Sequence, residues 1–117
     1  MKTNKQNAGA QMPTRFTYYA DAGHAWLEVP YSALLTLNLH HQITGFSYRQ
    51  NDMVYLEEDY DAVLFVKAYL SYIGKKENDY EAFRAICSQI HDGNYSQIRN
   101  YRHYHTPAGA SHKIEST

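Results

Sequence analysis

One cysteine, Cys87, stands in 117 residues, so an internal disulfide is excluded and a reducing compartment is expected. No apolar run approaches membrane-spanning length, and the polar first fifteen residues hold no apolar centre of a signal peptide. The expectation is a soluble, cytoplasmic protein with no membrane association. An excess of charge is missing as well. The 11 basic and 12 acidic residues leave a net charge of -1 with His neutral, which excludes a uniformly basic nucleic-acid coat and leaves only local charge to consider. Internal repeats and low-complexity blocks are also absent.

What the chain does have is ordinary globular composition, 44% hydrophobic and 20% charged, with an unusual 12 tyrosines. A domain of this length buries roughly two-thirds of the surface of its unfolded chain, enough for one core. Tyrosine combines a large rigid contact area with a polar tip, so its excess points to aromatic packing or a contact surface. Residues 1–14 and 106–117 are polar and aperiodic and read as flexible tails, leaving residues 15–105 as a single domain.

Within that domain Arg-Phe-Thr-Tyr-Tyr-Ala and His-Ala-Trp-Leu-Glu-Val flank Asp21-Ala22-Gly23, the pattern of a hairpin with Gly23 left-handed. A three-residue loop sets Tyr18 opposite Trp26 and puts Phe16, Tyr18, His24 and Trp26 on one face. Pro30 ends the strand, and Ser32 suits the N-cap of a short helix. A second hairpin joins Thr44–Arg49 to Met53–Glu57. A two-residue loop, Asn51-Asp52, would put Phe46 and Tyr48 opposite the face holding Val54 and Leu56, whereas a loop of Gln50 to Asp52 pairs Phe46 with Leu56, gives one continuous apolar face and is preferred. Tyr60–Ile73 reads as a core helix with Asp59 as N-cap and Gly74 as stop, and only Lys67 and Ser71 look committed to solvent. Tyr80, Phe83, Ile86 and Ile90 recur at helical spacing, capped by Asn78 or Asp79, with Cys87 on the apolar side. Gln97–His105 reads as an edge strand or an extended arm. The fold class expected is α+β: an antiparallel sheet from two hairpins with two to three helices packed on it.

Asp21-Ala-Gly-His24-Ala-Trp26-Leu27-x-Val29-Pro30, then Phe46-Ser-Tyr48, then Val54-Tyr55-Leu56-Glu57-Glu58-Asp59-x-Asp61-Ala62 resembles a family of small uncharacterised proteins. That family is encoded mainly by bacterial phages, plasmids and integrated elements. Ser96-x-Ile98-Arg99-Asn100-Tyr101 is similar to its closing motif. The chain departs from the pattern at Ala25, where the family has Gly, and at Tyr60, where it has Cys. The resemblance implies an accessory gene on a mobile element and transfers no catalytic residue; interference with a host defence or regulatory system is a guess from that setting alone.

Four constellations carry chemical potential. Asp21 and His24 form the orienting half of a triad, but no nucleophile is tied to them; otherwise Asp21 shapes the loop. Glu57, Glu58, Asp59 and Asp61 suit either a hard cation or a helix start. His103 and His105 share a strand face, two ligands of a zinc site with no convincing third. Arg99, Tyr101, Arg102, His103 and Tyr104 interleave cations with aromatics, which suits phosphates and stacked bases, a protein hot spot, or an edge strand whose arginines answer Glu57 to Asp61. No catalytic, metal or cofactor residue is assigned. The expected function is a small non-catalytic binding protein that contacts a host or element-encoded protein, or itself as a homo-oligomer. The expected partner surface is Phe16, Tyr18, Trp26, Arg99, Tyr101, Arg102, His103 and Tyr104. Alternatives are a nucleic-acid-binding protein and, third, a metal-dependent hydrolase. The first hairpin's aromatic face needs a cover, from a partner or from the C-terminal arm.

Overall fold

The structure is a computed structural model that describes residues 11–107; of the tails expected over 1–14 and 106–117, residues 1–10 and 108–117 lie outside the described residues. The element order is β1 (Phe16–Ala20), β2 (Ala25–Pro30), α1 (Tyr31–Thr36), β3 (Tyr48–Gln50), β4 (Met53–Glu57), α2 (Asp61–Tyr72), α3 (Tyr80–Arg84), β5 (Cys87–His91), a 3-10 turn (Gln97–Asn100) and β6 (Arg102–His103). The fold is α+β, but its six-stranded sheet, ordered β5-β1-β2-β4-β3-β6, is mixed. β5 runs parallel to β1 and every other pairing is antiparallel.

The parallel pair replaces the second half of the helix expected over Tyr80–Ile90. Asp79 does cap α3, accepting from the Ala82 N–H at 3.2 Å, but the helix stops at Arg84. β1 has a free edge whose backbone groups need partners. Ile86 and Asp92 bracket that edge: the Phe16 N–H donates to the Ile86 carbonyl and the Asp92 N–H to the Ala20 carbonyl. Ladder bonds outweigh the modest helix propensity of Ile, Cys, Ser and His. Cys87 therefore sits on an edge strand, not on a helix.

Both hairpins differ from expectation by loop length. In the first, the Asp21 N–H donates to the His24 carbonyl and a four-residue loop pairs Ala20 with Ala25. Tyr18 then lies opposite Leu27 and Tyr19 opposite Trp26, because a one-residue slip exchanges the faces of a strand. Gly23 is not left-handed; its missing side chain instead makes room for Arg99, whose Nη2 would lie 3.2 Å from a Cβ there. In the second hairpin Tyr48 pairs with Tyr55 across a two-residue loop, with Asn51 at φ 55°. Residues 44–47 leave the sheet because Asp61 holds them. Its buried carboxylate accepts the Thr44 N–H at 3.0 Å, the Thr44 hydroxyl at 2.7 Å and the Ser47 hydroxyl at 2.6 Å.

One sheet face carries Phe16, Leu27, Val29, Val54 and Leu56 and is packed by α1, α2 and α3 through Leu34, Phe65, Tyr69, Leu70 and Phe83. α2 turns Phe65 fully inward, while Val63 and Tyr72 join Lys67 and Ser71 on its exposed side. Pro13 belongs to the packed part of the chain rather than to a free tail, since its carbonyl accepts the Tyr69 hydroxyl at 2.9 Å. The opposite face carries Trp26 and Tyr55, which Ile98 covers from the 3-10 turn, with Tyr19, Tyr48, Met53 and Tyr101 around them. Ser32 lies inside α1, whose N-cap is Pro30.

Candidate functional site

The eight residues expected to form one contact surface divide between the two faces. Phe16 is buried on the helix side, its ring 5.5 Å from Phe65 and 5.0 Å from Tyr69. Tyr18 faces the same way and lines a cavity of about 310 Å³ with Val63, Val66, Phe83 and Cys87. Burial there pushes the Tyr18 hydroxyl up to about 12 and the Cys87 thiol to about 11. Tyr104 is buried as well, its hydroxyl donating to the His40 carbonyl and its N–H to the Ser47 carbonyl. These three are packing residues because the register turns them inward, not toward a partner. Trp26 is only 3% exposed, and its cover comes from within the chain. Arg102 and His103 are exposed, with the His103 ring 4.7 Å from that of Tyr48 and tilted by 31°. Tyr101 is half-buried against Tyr55, at 5.3 Å.

The C-terminal cover is fastened at Asp21. Its buried carboxylate accepts Arg99 Nε at 2.6 Å and Nη2 at 2.9 Å, the Ser96 N–H at 2.8 Å, and the Gly23 and His24 N–H groups at 3.0 Å each. The Arg99 guanidinium, reinforced by the three N–H groups, holds this carboxyl well below the usual carboxylate range against the upward pull of burial. The pairing in turn raises the Arg99 guanidinium. Arg99 thus answers Asp21 and not the acidic run at 57–61, and Asp21 spends its acceptors on backbone and guanidinium rather than on the His24 ring.

The acidic run is divided by its own bonds. The N-cap of α2 is Tyr60, not Asp59, and Glu57 secures the approach to the helix: its carboxylate accepts the N–H groups of Asp59, Tyr60 and Asp61 at 2.6–2.8 Å. The Asp61 side chain turns into the core. Among the described residues no three His, Cys, Asp or Glu side chains are grouped as a metal site, and no helix is long and apolar enough to cross a membrane.

Where the cover ends, a cleft of about 430 Å³ opens. Trp26 from β2, Tyr48 from β3, and Phe46 and Tyr60 from the loops entering β3 and α2 form its aromatic walls; His24, Glu57, Asp59 and Arg99 complete them. Phe46 is 78% and Tyr60 60% exposed. Trp26 meets Tyr48 edge-on at 6.2 Å, and the Arg99 guanidinium stands 5.3 Å from the Trp26 ring centre. Sequence reasoning had Trp26 and Arg99 but missed Phe46 and Tyr60, placing the first inside a strand and the second inside a helix. The polar pair Thr44 and Ser47 flanking Phe46 was the available signal that this ring stands on a turn.

Set against protein-family models, curated proteins and solved structures, the chain has no match in any of the three.

Proposed function

We propose that this protein is a small non-catalytic binding protein that contacts a host or element-encoded protein through the aromatic cleft, in the mobile-element setting its motifs resemble. The observation that carries the reading is the exposure of Phe46 and Tyr60 beside Trp26, Tyr48 and Arg99. Large aromatic side chains left in water at the mouth of a cleft mark contact sites, and Trp, Tyr and Arg dominate binding hot spots.

Several facts weigh against the other classes. The Cys87 thiol, pushed up to about 11, is a poor nucleophile at neutral pH. Arg99, the residue best placed for a phosphate, is committed to Asp21, and two carboxylates line the cleft beside it. Of the four carboxylates in the acidic run, Glu57 is engaged at the start of α2 and Asp61 in anchoring residues 44–47. The test is capture from the native cell by the wild-type protein and by a Phe46→Ala/Tyr60→Ala variant. A specific partner retained by the first and lost by the second is expected. Equal capture by both removes the cleft from the function. Strongly salt-dependent oligonucleotide binding that survives both substitutions overturns the reading in favour of nucleic acid.

A further inference from the structure

We infer that the cleft is a receptor for an organic cation, the lysine or arginine side chain of a protein partner; this deepens the binding role proposed above and rests on it. The faces of aromatic rings carry negative potential and attract cations within about 6 Å of the ring centre. Four aromatic residues, Trp26, Phe46, Tyr48 and Tyr60, line one cavity here, and one of these rings already meets a cation: the Arg99 guanidinium lies 5.3 Å from the Trp26 ring centre.

The charges of the lining select the sign of the occupant. Arg99 is the cation of the wall, and its charge is matched by a two-point bond to buried Asp21. Glu57 directs its oxygens to the first N–H groups of α2. Asp59 is exposed, and no hydrogen bond reaches its carboxylate among the described residues. An anion entering the cleft would meet two carboxylates and a guanidinium already paired. An ammonium or guanidinium would meet aromatic faces and the carboxylate of Asp59, and its alkyl stem would rest on Phe46 and Tyr60.

The backbone that carries the two exposed rings is held before any partner arrives. The Phe46 N–H donates to the Thr44 hydroxyl oxygen at 3.1 Å, and that hydroxyl donates to Asp61. The Tyr60 N–H donates to Glu57 at 2.6 Å. These bonds, the first backed by buried Asp61, fix the backbone under both rings, which lowers the ordering cost of binding.

Trp26 is the only tryptophan in the chain and lines the cleft, so its emission reports occupancy. The full-length protein is titrated with choline, with its uncharged carbon isostere 3,3-dimethylbutan-1-ol, and with acetyl-lysine-amide against acetyl-glutamine-amide. Saturable emission changes with choline and the lysine compound are expected, with at least about fivefold weaker responses to the uncharged analogues. Phe46→Ala, Tyr60→Ala and Asp59→Asn should each weaken choline by a few-fold while melting like the wild type, since all three side chains are exposed. Equal affinity for the uncharged isostere, a response to inorganic phosphate in place of choline, or no response at all overturns the inference. A Lys2→Gln/Lys5→Gln variant that binds choline more tightly than the wild type would make the chain's own N-terminal lysines the occupant and overturn the partner assignment. If no cation binds while Phe46→Ala/Tyr60→Ala still abolishes partner capture, the cation reading falls and the binding role stands. If capture is also unaffected, both fall.

Discussion

Replacing Asp21 by Asn changes almost no volume and removes one charge, which isolates the clasp between the first hairpin and the C-terminal cover. The wild-type carboxylate accepts five hydrogen bonds, two from Arg99 and three from backbone N–H groups. An Asn side chain offers one acceptor oxygen and turns an NH2 toward groups that are all donors. With its oxygen toward Gly23 and His24, the buried Ser96 N–H is left facing the amide. An unsatisfied buried donor costs about 1–3 kcal/mol, and breaking a buried pair from one side about 3–5 kcal/mol. The Arg99 side chain keeps 24% exposure and regains water, which pulls the sum toward about 2–4 kcal/mol. The pH dependence has a definite sign. The folded Asp21 carboxyl titrates well below its ordinary range, so its contribution is complete above the unfolded value of about 3.9 and declines as pH falls below it toward the folded value. Urea unfolding followed by Trp26 emission, wild type against Asp21→Asn, should give a smaller gap near pH 2.5 than near pH 7. A gap that is the same at both pH values, or below about 1 kcal/mol at neutral pH, would refute the clasp as an ionised pair.

Phe65→Ala should cost about 3–5 kcal/mol in the same unfolding assay, because the ring is fully buried between α2 and the sheet; a variant as stable as wild type would remove α2 from the core. Glu57→Ala should lose about 1 kcal/mol through the unsecured start of α2 while Asp59→Ala loses close to nothing, and the reverse order would restore Asp59 as the cap. The Cys87 thiol, raised to about 11, should react with iodoacetamide at pH 8 more slowly than a free thiol, and reaction at the free-thiol rate would show that the burial is absent. Since that thiol is protonated longer when folded, its contribution should be complete below about pH 8.5 and shrink as pH climbs toward 11, a loss that Cys87→Ala should lack.

Local signals in the sequence located much of this fold. Asp79, Gly74 and the apolar spacing of Ala62 to Leu70 place α2 and the start of α3 because caps and helical periodicity act within a few residues. Both hairpins were legible as hairpins, yet their faces were not. Register depends on a single residue of loop length, and that residue was decided from far away. Ser96 and Arg99 complete the Asp21 loop from more than seventy positions along the chain, and Asp61 draws Thr44 and Ser47 out of β3. β5 failed for the same reason, since the Tyr80, Phe83, Ile86, Ile90 spacing is genuine but the vacant edge of β1 takes the second half. The cleft was half legible. Trp26 and Arg99 stand in recognisable motifs, whereas Phe46 and Tyr60 reach the same opening only through contacts that join four separate segments.

Four of the twelve tyrosines, Tyr19, Tyr48, Tyr55 and Tyr101, find a physical reason in the unequal cover of the two sheet faces. Three helices shield one face, and its buried residues are mainly aliphatic or phenylalanine. The other face is covered by little more than one 3-10 turn and the residues beside it, too thin a layer to exclude water at its margins. Tyrosine suits that boundary because its ring packs while its hydroxyl stays bonded. Tyr55 donates to Glu28 at 2.9 Å and Tyr101 accepts from Gln97 at 3.1 Å. Arg99 sits at the edge of this layer, with one side on Trp26 and its hydrogen bonds on Asp21. The group that fastens the cover therefore also forms a wall of the cleft, so weakening the clasp should loosen the cleft along with the fold. A substitution at Phe46 or Tyr60 acts on the opposite wall, which is anchored separately through Asp61 and Glu57. That separation lets the proposed binding be tested there without perturbing stability.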